Sequence, residues 1–145
     1  MKNIIRAKPT IIRSPNSTRP WQHVLEPLSG YLLLSKTENA SNFHGEAFNF
    51  GPNMRETKTV FEVINEITRH FSDTKIVYKD DPTINEATLL SLNCEKALHH
   101  LNWKPRWDFD KTISATCQWY KAYGSDVNTL DITQSQISEY FNESY

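Results

Sequence analysis

Thr18-Arg19-Pro20-Trp21-Gln22-His23-Val24-Leu25-Glu26-Pro27-Leu28-Ser29-Gly30-Tyr31-Leu32 decides how this chain is organised. Its first residues finish a polar, proline-punctuated run, Ser14 to Pro20, that reads as a loop. A helix follows Glu26, with Pro27 in its first position, where a missing N–H costs nothing. Leu28, Tyr31, Leu32 and Ser35 fall on one face of that helix, and Asn39 to Phe43 break it. Upstream, Met1 to Lys8 reads as the tail of a helix, and Thr10 to Arg13 as a short β-prone run.

Downstream, Ala47-Phe48-Asn49-Phe50 reads as a buried strand stopped by Gly51-Pro52. Thr59 and Glu62 form a T-x-x-E capping box for a second helix whose apolar stripe is Val60, Val63, Ile64 and Ile67. Lys75 to Tyr78 is another short strand, followed by an acidic loop, Asp80-Asp81-Pro82. Leu89 to Leu92 is expected to be extended, and Asn93 to Leu101 a short helix. Asn102 stands where helices end in a left-handed residue, with Pro105 beyond it. A fourth helix starts near Asp108 and carries Ile113, Cys117 and Tyr120. Thr133 and Gln136 suggest a further capping box for a last helix bearing Ile137, Tyr140 and Phe141. Short strands between about five helices make an α/β fold with one small sheet of three or four strands.

The 145 residues suit one domain, and 38% apolar with 23% charged residues are globular proportions. A net charge of −1 gives no basic footprint for nucleic acid and no polybasic membrane patch. The longest apolar stretch, Tyr31 to Leu34, is far too short to span a bilayer. With no visible signal peptide, the sequence predicts a cytoplasmic protein. Cys94 and Cys117 make no CxxC pair and read as buried small hydrophobes. His99 and His100 are adjacent, so they cannot share a helix face, which argues against zinc.

Catalytic signatures are missing from the sequence. Gly30, Gly45, Gly51 and Gly124 are too far apart for G-x-G-x-x-G or a P-loop, so no pyrophosphate cradle of the usual kind can be built. None of the six tyrosines has a lysine four residues later, so there is no helical Tyr/Lys proton-transfer pair. No catalytic, cofactor-binding or metal-ligating residue is nominated.

The run Arg13 to Leu32 resembles the R-x-P-x-x-T-R-P-W-Q-H-V-L-E-P-L-x-G-Y-L segment of CDP-glucose 4,6-dehydratases. So do Ala47 to Asn53 (A-x-N-F-G-P), Leu92 to Ala97 (L-D-C-x-K-A), Leu101 to Trp107 (L-G-W-x-P-x-W) and Trp119 to Tyr123 (W-Y-x-x-Y). These enzymes are lyases of the extended short-chain dehydrogenase type, also called NAD-dependent epimerases/dehydratases. The resemblance implies that residues 1–145 are a single C-terminal nucleotide-sugar-binding subdomain. The Rossmann domain, with its bound NAD and Tyr-x-x-x-Lys pair, would lie outside this chain. In the family, NAD takes a hydride from C4 of the sugar, water leaves across C5 and C6, and the hydride returns to C6. The product, a CDP-4-keto-6-deoxyglucose, feeds the dideoxysugars of surface polysaccharides such as lipopolysaccharide.

On the resemblance, Arg19 is the leading ligand residue, because a guanidinium makes paired, charge-assisted bonds to a diphosphate. Thr59 is a second candidate, since a helix N-terminus can face phosphate; it equally suits a plain cap. Arg13 would add charge near the same loop. Glu86 matches the glutamate of the family's H-E-A-H-Y-L, here Asn85-Glu86-Ala87-Thr88-Leu89-Leu90, where both histidines and the tyrosine are replaced. Trp21, Trp103, Trp107 and Trp119 read as core rather than sugar platforms. The implied partners are a CDP-glucose-like nucleotide sugar, a separate Rossmann-containing polypeptide and a second copy of the chain. The alternatives are a stand-alone nucleotide-sugar-binding or oligomerisation module, or a truncated remnant without activity.

Overall fold

A computed structural model describes residues 1–37, 40–79, 89–125 and 127–142. The elements in order are α1 (Lys2–Ile5), β1 (Thr10–Ile12), β2 (Thr18–Arg19), α2 (Leu25–Lys36), β3 (Lys58–Thr59), α3 (Val60–Arg69), β4 (Ile76–Tyr78), α4 (Glu95–Leu101), α5 (Phe109–Gly124) and α6 (Thr129–Asn142). Two 3-10 turns, Ala40–Phe43 and Met54–Glu56, join the first half. Among these residues no helix is long and apolar enough to cross a membrane.

The expected single sheet is instead two separate pairs. β1 and β4 run parallel, with Ile11 opposite Val77, while β2 and β3 run antiparallel. Ala47 to Phe50 joins neither: the segment stays irregular, and Phe50 alone is deeply buried. Its apolar alternation had pointed to a strand, but a strand needs a neighbouring edge to pair with, and none lies beside it in the described ladders. The proline-rich run expected to be loop contains β2, which exists only through pairing with β3 across the chain.

Local helix signals place three starts or stops well. Thr59 and Glu62 make a complete capping box on α3, which buries Val63, Ile64 and Ile67. Asp108 caps α5 by accepting the Lys111 N–H, and Asn102 ends α4 at φ 50°. The Thr133/Gln136 signature does not start a helix. α6 begins a turn earlier, where Asn128 accepts the Leu130 N–H, and both residues face inward from the helix. The Thr133 hydroxyl accepts the Trp119 indole N–H, and the Gln136 amide donates to the Ala115 carbonyl, so α5 and α6 are stitched together. Similarly, α2 starts at Leu25, moving Pro27 to the third position, still within the turn whose N–H groups lack helical partners.

Three apolar clusters hold the elements. Ile4, Val63, Ile67, Ile113 and Cys117 join α1, α3 and α5. Leu25, Trp107, Ala115 and Tyr140 join α2, α5 and α6. Phe50, Ala97, Leu101 and Trp103 pack on the α4 side of α2. The Leu28, Tyr31, Leu32 face of α2, with Val24, is exposed. Its buried face carries Leu25, Glu26 and Gly30.

Gly30 is on that face because nothing larger fits. A Cβ there would lie 2.3 Å from Cδ1 of Phe50, whose ring is held edge-on against Trp103 at 5.1 Å between centroids. Helix propensity alone would favour Gly30→Ala by roughly 1 kcal/mol. We nevertheless expect this substitution to destabilise the protein by about 2 kcal/mol net through overpacking. A urea midpoint at or above that of the parent would refute the tight contact.

Glu26 is the polar hub of the molecule, with 0% exposure. Its carboxylate accepts the backbone N–H groups of Arg106 and Trp107 and the Tyr140 hydroxyl, at 3.1, 2.8 and 2.7 Å. Ser29, one turn along, lies 3.0 Å from the same hydroxyl and accepts the Trp103 indole N–H at 2.9 Å. The Arg106 guanidinium donates to the Tyr140 carbonyl and lies over its ring. One carboxylate thereby ties α2, the 103–107 connection and the end of α6 together.

Candidate functional site

The segment 14–19 is laid along the start of α3 by a series of backbone bonds. Val60 N–H donates to Ser17 O and Phe61 N–H to Pro15 O, each at 2.9 Å. Trp21 Nε1 donates to Lys58 O at 3.0 Å and fixes the turn after β2. The resulting register puts Thr18 opposite Thr59 and Arg19 opposite Lys58. Directly opposed residues of an antiparallel pair project to the same face, and like charges so placed repel. The register therefore sets Arg19 and Lys58 on one face of the ladder.

Neither cation is idle. Arg19 Nη1 donates to Thr18 O at 2.7 Å, and the residue is half-buried. Lys58 Nζ lies 3.4 Å from a Glu62 oxygen in a pair open to water, which holds it only weakly. The Glu62 carboxyl is held below its usual range, first by the Thr59 backbone N–H, then by the Thr59 hydroxyl, with Lys58 adding less. Sequence reasoning missed Lys58, because only the strand register brings it to Arg19.

Thr59 stands beside these cations as the α3 cap, but the amides behind it are taken. Thr59 N–H goes to Glu62 Oε2, Val60 and Phe61 to the 14–19 segment, and Glu62 N–H to Thr59 Oγ1. A phosphate approaching here meets side chains and the positive end of the helix dipole, without a free N–H. Arg13 is exposed, one residue beyond β1 in the other strand pair. Glu86 lies outside the described residues. Trp103 and Trp107 are buried; Trp21 and Trp119 are half-buried and use their indole N–H groups internally.

The described residues do not fit the pyrophosphate of a dinucleotide. Gly30 is filled against Phe50 and Gly51 against Leu92, where a Cβ would lie 2.9 Å away. Gly45, at φ 78°, belongs to an isolated turn, and the α3 amides are occupied.

No family model matches the sequence. Over 136 residues, 91% of this chain, it is 38% identical to the CDP-glucose 4,6-dehydratase of Salmonella typhimurium. This chain is similar to the C-terminal part of a CDP-glucose 4,6-dehydratase. It spans only 37% of that relative's length. Solved structures agree on the fold. UDP-glucuronic acid 4-epimerase from Bacillus cereus, in complex with UDP-glucuronic acid and NAD, matches with a TM-score of 0.71 at 18% identity, over 84% of this chain and 38% of its own. dTDP-glucose 4,6-dehydratase from Bacillus anthracis, in complex with NAD, matches with a TM-score of 0.57 at 22% identity, over 83% and 36%. The fold is thus that of a C-terminal fragment of extended short-chain dehydrogenase enzymes, as the resemblance to CDP-glucose 4,6-dehydratases implied.

Proposed function

We propose that this chain is the nucleotide-sugar-gripping portion of a CDP-glucose 4,6-dehydratase-like lyase, and that it does no hydride chemistry itself. The observation that carries the reading is the Arg19–Lys58 juxtaposition on the β2–β3 ladder. Arg19, whose Nη1 bonds the Thr18 carbonyl, brings a guanidinium suited to phosphate oxygens, and Lys58 adds an ammonium on the same face. The Thr59 cap and the Trp21–Lys58 bond keep the two strands in register. Thr59 contributes by position and dipole. Arg13 and Glu86 are secondary candidates.

NAD, with the Tyr-x-x-x-Lys pair, would be supplied by a Rossmann-containing part, either elsewhere in a longer protein or as a separate cytoplasmic polypeptide. Held there, NAD would supply the hydride chemistry. The residues here hold the substrate's nucleotide end while that happens. The exposed Val24, Leu28, Tyr31, Leu32 face of α2 supports packing of this kind, and it equally favours a second reading, an oligomerisation module.

Titration of the full chain with CDP-glucose, CDP and CMP tests the grip. The two diphosphates are expected to bind more tightly than CMP. Arg19→Ala should weaken CDP-glucose by about thirtyfold, the equivalent of roughly 2 kcal/mol for charge-assisted bonds. Lys58→Met should weaken it about threefold and flatten its salt dependence, as befits a more exposed charge. Equal affinity for CDP and CMP, or an Arg19→Ala protein that binds like the parent, contradicts the reading.

A further inference from the structure

The two carboxylate oxygens of Glu62 have different duties. Oε2 accepts the Thr59 N–H at 2.8 Å and the Thr59 hydroxyl at 2.9 Å, so the α3 cap fixes where the side chain lies. Oε1 lies 3.4 Å from Lys58 Nζ. A capping box needs one side-chain oxygen at this position, and glutamine supplies it as well as glutamate. The second oxygen and the negative charge are surplus to the cap.

That charge stands where it works against an anion. Lys58 lies opposite Arg19 on the β2–β3 ladder, the face proposed above to meet a diphosphate. The Lys58 and Glu62 side chains are 37% and 45% exposed, so an arriving ligand can reach the pair. Among the described residues Glu62 is the carboxylate paired with Lys58; the Phe109 ring, its centroid 5.6 Å from the ammonium, carries no charge. The Thr59 backbone N–H, and then its hydroxyl, hold the Glu62 carboxyl below its usual range, so at neutral pH the counter-ion is ionised.

We infer, resting on the grip reading above, that Glu62 is a built-in competitor of the diphosphate: its carboxylate holds the Lys58 ammonium until phosphate oxygens take it over. The ligand gives up the free energy of the pair it breaks, which is small for exposed charges and is screened by salt. Glu62 is thus a positioning residue that acts through Lys58. Its sign is opposite to that of Arg19: removing its charge tightens binding.

Isothermal titration of the full chain with CDP tests this in the parent, Glu62→Gln, Lys58→Met and the double variant. Glu62→Gln keeps the capping oxygen, so the α3 start is retained. It is expected to bind CDP about threefold more tightly at low ionic strength, with the gain lost at about 0.5 M salt. In the Lys58→Met background the same substitution should change affinity by less than about 1.5-fold, because the pair it frees is gone. A loosened cap would weaken binding, so a gain separates the charge from structural damage. CDP binding to Glu62→Gln no tighter than to the parent overturns the role of Glu62 and leaves the grip reading standing. An equal gain without Lys58 overturns it too, by reducing Glu62 to a source of negative field. CDP that binds none of the proteins overturns the grip reading and this role together.

Discussion

Glu26→Ala is expected to destabilise the protein by about 4 kcal/mol, a large share of the roughly 5–15 kcal/mol that a domain has in reserve. The carboxylate is completely buried and accepts from two backbone N–H groups and a phenol. Truncation leaves two buried backbone N–H groups without an acceptor and the Tyr140 hydroxyl with Ser29 alone, each orphaned donor costing on the order of 1–3 kcal/mol, partly relieved if water enters. The loss falls on three elements at once, because the donors belong to the 103–107 connection and to α6 while the acceptor belongs to α2. Glu26→Gln keeps one carbonyl oxygen but turns an NH₂ toward a donor, so about half the loss is expected. Urea unfolding followed by far-UV circular dichroism reads both variants. A loss below about 1 kcal/mol in Glu26→Ala would mean that the hub is ornamental.

Acidification is the second large effect. His23 is buried, and burial alone lowers its pKa from 6.5 to about 4. Between those values the unfolded chain takes up a proton that the folded chain refuses, so stability is full above pH 6.5 and drains away as the pH falls toward 4. The interval corresponds to roughly 3 kcal/mol. Glu26 pulls the other way. Its pKa is raised by burial, against the bonds from Trp107, Tyr140 and Arg106, so its contribution favours folding as the pH falls through its folded value toward the ordinary carboxylate range. That part is common to the parent and to His23→Gln, so their difference isolates the histidine. The gap between their unfolding free energies should change by roughly 3 kcal/mol from pH 7 to pH 4. A constant gap would show that the imidazole gains its proton without unfolding.

The features legible in the sequence were those with local causes. A Thr59/Glu62 box, an Asp108 cap and a left-handed Asn102 are each fixed by bonds within one turn, and each is found where the residues put it. Features decided by distant partners were not legible in this way. α2 exposes its Leu28, Tyr31, Leu32 stripe and buries Glu26 and Gly30, because the donors and the Phe50 ring that meet them come from elsewhere in the chain. A glutamate is ordinarily a surface residue, so nothing local marks Glu26 as a hub. Thr133 and Gln136 carry the spacing of a cap but serve as inward-facing bonds to α5.

The site followed the same rule. Arg19 and Thr59 were singled out from separate segments, and the structure sets them on adjoining strands. Lys58 emerged only from that pairing. The helix start at Thr59, read as a possible phosphate seat, is closed by its own capping bonds and by the carbonyls of Ser17 and Pro15.

Equilibrium dialysis of the full chain against radiolabelled CDP-glucose in the presence of NAD, with the retained sugar then identified, tests most directly whether grip and chemistry are divided. The account predicts label enriched with the protein, released by salt, and recovered entirely as CDP-glucose. Label that distributes evenly across the membrane, or that returns as the 4-keto-6-deoxy sugar with no second protein added, contradicts it.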